Sequence, residues 1–267
     1  MRIRAIAFHT FGAFLRNKLL FLFCAIFLIV LLLFSTPILM TRKIGQTMSA
    51  VQAQGAMLGM LSLVVSLVSG FGSLLAAWAT ADTVGSELRS GTILAVLARP
   101  VRRWEFLLGK YLGAQLLMAI YIAFVLASTY FFAWLVGERI QSSIAPLIVY
   151  PMVRYAIYSS IALLLVTMMH PLLAVGVTVV ISTVANMVTP SSRSFSYLPH
   201  WLVKAVYDVL PSVDLLSEAR FLAITQASLK PVPFSEHLTA LAYGLDCALV
   251  LFLLAAWRFG RLNLTRE

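Results

Sequence analysis

Residues able to do chemistry are few in this chain, and many of them crowd into one stretch. Residues 87 to 110 read ELRSGTILAVLARPVRRWEFLLGK and carry seven charged side chains, in a chain that is only 11% charged. The stretch holds the chain's only Gly-Lys pair, Gly109-Lys110. No glycine-rich loop precedes that pair, and Tyr111 follows where a P-loop needs Ser or Thr, so there is no phosphate cradle of that kind. Elsewhere, His9, His170, His200 and His237 are scattered, with no paired carboxylates or Ser/His/Asp set near them. Cys24 and Cys247 sit in apolar runs and offer neither a disulfide framework nor metal-ligand spacing. These absences exclude an enzyme of the familiar kinds, and no cofactor is expected in this chain.

Two further charged residues stand out because of where they fall. Arg154 and Asp246 each interrupt a long apolar run. On the insertion scale each would cost about 2.5–3.5 kcal/mol near the centre of a membrane helix, several times what one Leu returns. Counting from the ends of their runs places both at similar depth, so an intramembrane ion pair between them is expected. The alternative is that each snorkels to the outer headgroups. Thr178, Ser182 and Asn186 fall on one helical face, as do Ser62, Ser66, Ser69 and Ser73. The first set would line a substrate path or allow close helix packing; the serines read as packing, as do the spacings Gly55/Gly59 and Gly109/Gly113.

The elements that must hold these residues are membrane spans. With 61% of residues hydrophobic, the chain carries more apolar surface than a soluble globule of 267 residues could hide. A span needs about 20 mostly apolar residues. Runs of that kind cover Leu19 to Met40, Ala56 to Thr80, Tyr111 to Val136, Leu147 to Met169, Pro171 to Val188 and Leu241 to Phe259. The first is too long for a signal-peptide core and no small-residue cleavage site follows closely, so it reads as retained. The fold class expected is an all-α membrane protein with six transmembrane helices, built as one permease domain over 1–267 without internal repeats. Six spans put both termini on one side. With the N-terminus inside, twelve Lys and Arg fall in cytoplasmic segments against seven outside, with Arg154 set aside. The net charge of +10 therefore reads as anchoring at the inner face of a membrane, with lipids as partners and no nucleic acid.

Three segments lie outside the spans. Residues 1–18 repeat Ile3, Ile6, Ala7, Phe11, Phe14 and Leu15 at three- and four-residue steps, an amphipathic helix suited to the inner leaflet. Residues 189–240 form a long outer segment with short interfacial helices, one carrying Trp201, Leu202, Ala205, Val206 and Val209, the next starting after Pro211. The cytoplasmic loop 81–110 contains a short helix from Thr92 to Ala98, capped by Ser90 and ended before Pro100. Two turns are too few to be stable alone. The residues leave open whether the lipid surface or another protein holds this helix.

The pattern E-x-x-x-G-T-x-x-x-x-L-x-x-P-V-x-R-x-x-x-x-x-G-K is carried by Glu87, Gly91, Thr92, Leu97, Pro100, Val101, Arg103, Gly109 and Lys110. It resembles the cytoplasmic loop of ABC transporter permeases of the type 2 exporter family. TFGAFLRNKLL near the start is similar to that family's connecting helix, VLPSVDLL at 209–216 to its outer loop, and AAWRFGRLNL at 255–264 to its last span and basic tail. The resemblance implies a coupling helix that docks in a cleft of a separate cytoplasmic ATPase subunit, with Glu87, Gly91, Thr92, Leu97, Pro100 and Arg103 as coupling residues. It also implies a second permease chain, identical or related, and ATP and Mg bound on the ATPase. The function expected is the inner-membrane permease of an ATP-driven exporter. The rival reading is an ion-coupled secondary transporter, which predicts midplane carboxylates and inverted repeats; Asp246 is the only deep carboxylate.

Overall fold

A computed structural model describes residues 2–16, 25, 29, 50–90, 102–136, 144–187, 216 and 234–261. They form six helices: α1 (Arg2–Leu15), α2 (Ala50–Ser90), α3 (Arg103–Val136), α4 (Ile144–Val166), α5 (Pro171–Met187) and α6 (Phe234–Gly260). No strand occurs among the described residues. The expected first span and the body of the outer segment lie outside the described residues, as do the proposed coupling turns at 91–101.

Local signals account for several boundaries. Pro100 disfavours helix at Arg99, and α3 begins just beyond, where the Glu105 carboxylate accepts the Arg102 backbone N–H at 3.1 Å. This is half of a capping box, with an acidic group placed at the positive end of the helix. α5 begins with Pro171 at its first position, where a missing N–H costs nothing. α2 runs 41 residues, about 60 Å at 1.5 Å per residue, twice the ~30 Å hydrocarbon core. It therefore carries the chain well past Thr80 to Ser90, which is itself helical.

Among the described residues, three stretches are long and apolar enough to cross a membrane: Arg103–Ser128 in α3, Ile148–Val166 in α4 and His237–Gly260 in α6. α5, at 17 residues, spans about 26 Å. α4 is the central helix and packs against α2, α3, α5 and α6. Its large side chains Tyr155, Tyr158 and Ile157 are fully buried. The exposed sides of α5 and α6 are largely apolar, with Leu172, Val180, Leu249 and Leu253 exposed.

α1 turns most of its expected apolar stripe toward the bundle. Ala7 and Phe14 are buried, joined by Thr10, and Ile3, Ile6 and Phe11 are half-buried. Leu15 departs from the stripe and is exposed, as is Phe8, which lies off it at 66% exposure. The surface it packs on is a notch in α3 described below.

Candidate functional site at the foot of α3

The first turns of α3, residues 103–113, are where the helices meet. Gly109 and Gly113 form the notch that seats α1. A Cβ on Gly109 would fall 2.7 Å from Ile6 Cβ, and one on Gly113 would fall 2.7 Å from Thr10 Cβ and 3.0 Å from the Ala7 carbonyl oxygen. These separations leave no room for a side chain, so the 109/113 spacing is a packing site, and α1 is its occupant.

One residue on, Lys110 turns toward α2. Its ammonium forms an ion pair with the Glu87 carboxylate, and its nitrogen lies 5.6 Å from the centre of the Phe106 ring. The Lys110 side chain is 9% exposed and that of Glu87 23% exposed, so the pair is largely shielded from water. Asp82 and Arg89, one turn or so away on α2, add to the same field. Arg89 Nη1 donates to His170 Nε2 at 3.0 Å, tying α2 to the start of α5.

On its other side the foot of α3 grips the end of α6. Arg103 Nη1 donates to the Gly260 carbonyl at 3.0 Å, and the rings of Phe106 and Phe259 stack at 6.2 Å. Higher up, the Tyr111 hydroxyl donates to the Ala156 carbonyl of α4 at 3.1 Å, and its ring meets Phe252 at 5.2 Å. Residues 87, 89, 103, 110, 170 and 260 are thus gathered at one end of the bundle.

Of the coupling residues expected from sequence, Glu87 and Arg103 are described. Neither belongs to a separate short helix: Glu87 lies in the last turn of α2 and Arg103 opens α3. Gly91, Thr92, Leu97 and Pro100 lie outside the described residues. Thr178 and Ser182 are buried in the seam between α5 and α2. Ser182 Oγ lies 3.3 Å from Ser73 Oγ, Ser73 donates to the Gly70 carbonyl, and Thr178 donates to the Ala174 carbonyl at 2.7 Å. In this arrangement they face a neighbouring helix, not an open path. Asn186 is helical, and its side chain lies outside the description.

Arg154 and Asp246 are not brought together. Arg154 is buried, with its guanidinium 5.4 Å from the Tyr155 ring centre. Asp246 is on the exposed side of α6. The physical reason is angular. α6 turns Ala240, Gly244, Ala248 and Ala255 inward, and at 100° per residue position 246 lies about 200° from Gly244. Azimuth depends on which face of α6 is made of small residues.

The Glu87–Lys110 pairing went unread because the two residues are far apart in the chain and each also fits a solvated loop. The available signal was that each is a lone charge one or two turns from the apolar part of a span.

No curated protein matches the chain closely enough to count as a relative. The model of the family described as ABC-2 family transporter protein matches residues 4–264. That stretch takes in α1, the whole bundle and the gathered charges at its foot, and the chain belongs to the ABC-2 transporter family.

Proposed function

We propose that the chain is the membrane permease of an ATP-driven exporter, working as a dimer beneath which separate ATPase subunits dock. Membership of the ABC-2 family over nearly the whole length is the observation that carries this reading. The physical complement is the gathering of α1, α2, α3, α5 and α6 around the two ends of loop 91–101. A push on that loop has a direct route into five helices. Gly91, Thr92, Leu97 and Pro100 supply the docking turns, while Glu87 and Arg103 flank them. ATP and Mg are held by the ATPase. The path runs between two permease chains, with both termini cytoplasmic in a bacterial-type inner membrane. Since Thr178 and Ser182 are sealed against α2, they reach the path only if that seam opens.

The test is purification of the tagged chain from its native membrane. A P-loop ATPase should co-purify. Gly91→Trp, which adds bulk where two backbones must approach, should reduce its recovery without altering membrane insertion. Absence of any P-loop ATPase from the wild-type preparation would overturn the reading.

A further inference from the structure

Glu87 was expected to meet the ATPase, but its carboxylate is engaged with Lys110. That pair joins the last turn of α2 to the second turn of α3, the two helices from which loop 91–102 hangs. The adjacent residue Gly109, with Gly113, holds α1. Four contacts therefore coincide on one patch of α3: a notch for α1, a cation for α2, a ring stack with α6 and a guanidinium bond to the end of α6. Helix ends joined this way cannot spread without pulling apart two partly buried opposite charges.

We propose that Glu87 and Lys110 are positioning residues, a charge clamp that fixes the spacing of the two feet of the loop. The end of α2 and the start of α3 then move with α1 as one body. The link to ATPase coupling rests on the function proposed above; the clamp itself does not.

Two measurements separate these statements. With Cys24 and Cys247 replaced by alanine, spin labels at Ser86 and Trp104, both exposed, report the distance between the feet in vesicles. The wild-type distribution should be narrow. Glu87→Gln or Lys110→Met should broaden it about twofold or more, as expected when a single arrangement gives way to an ensemble. The swap Glu87→Lys with Lys110→Glu should narrow it again, and Lys110→Arg should leave it narrow. In parallel, permease-dependent hydrolysis by the ATPase that co-purifies with the tagged chain is measured per inserted permease. It should fall about fivefold or more in the single variants, within the usual span of coupling between sites, and return in the swap.

Unchanged distances in both single variants, or a swap that fails to restore them, would overturn the clamp. Restored distances without restored hydrolysis would support the clamp and overturn its link to coupling, the Glu87 carboxylate then being read by the ATPase itself. Broadening in the single variants with no ATPase bound to the wild type would support the clamp and reject the coupling reading.

Discussion

Gly113 lies so close to Thr10 that a Cβ at 113 would fall 2.7 Å from the Thr10 Cβ. This contact ties the N-terminal helix to the third helix, and it yields a sharp contrast between glycines. Gly113→Leu should push α1 out of its seat, costing about 1–3 kcal/mol of overpacking or loss of the seat. At Gly12, on α1 itself, an added Cβ would meet nothing within 4 Å. Gly12→Ala should instead stabilise by up to ~1 kcal/mol, the difference in helix propensity. Thermal unfolding of the purified permease in detergent compares the two, and equal effects would contradict the notch.

The separation of Arg154 from Asp246 changes what a double substitution should do. Arg154→Leu removes a buried guanidinium and its contact with the Tyr155 ring, and should lower stability by about 2 kcal/mol. Asp246→Leu replaces an exposed carboxylate on a membrane-facing side and should be neutral or favourable for insertion, by up to ~3 kcal/mol on the insertion scale. The effects should add. A double-mutant cycle with a coupling above about 0.5 kcal/mol would place the two in contact.

Seam residues are predicted to behave as packing. Ser182→Ala should cost about 0.6 kcal/mol, the average for one interhelical hydrogen bond in a membrane protein. Ser182→Leu should cost more, because the side chain is buried against α2. Detergent thermal shifts decide. If the leucine variant is as stable as wild type, position 182 faces open space.

Topology is checked by cysteine labelling. A single cysteine at Ser142 should be labelled from outside sealed cells, and one at Arg261 only after permeabilisation. The gathering of Arg89, Arg103, Lys110 and the end of α6 at one end of the bundle is the motivation. Outside labelling at 261 would overturn the inside assignment.

Much of this protein was readable without coordinates, because membranes make few demands and make them strictly. A helix must be about 20 apolar residues long, so runs such as Tyr111–Val136 and Leu147–Met169 announce themselves by length. The described α3 covers the first, and α4 covers the second except for its last three residues, 167–169. Pro171, read as the start of a span, is the first residue of α5. The loop motif carried the family, which the match over 4–264 bears out.

Tertiary structure decided what depends on angle and on partners distant in the chain. Hydrophobic periodicity is weak in spans that are apolar all round, so it could not tell which face of α6 looks inward. Small residues at 240, 244 and 248 settled that, and with it the exposure of Asp246. The same holds for α1: its apolar stripe was legible, but that the stripe around Ile6 and Ala7 seats on the glycine notch of α3 appears only in the packed structure. Glu87 and Lys110 each read as a loop charge, and only the approach of α2 to α3 made them a pair. Length and local chemistry are properties of a segment and survive in the sequence; azimuth and pairing are properties of the packed bundle and appear only when the helices meet.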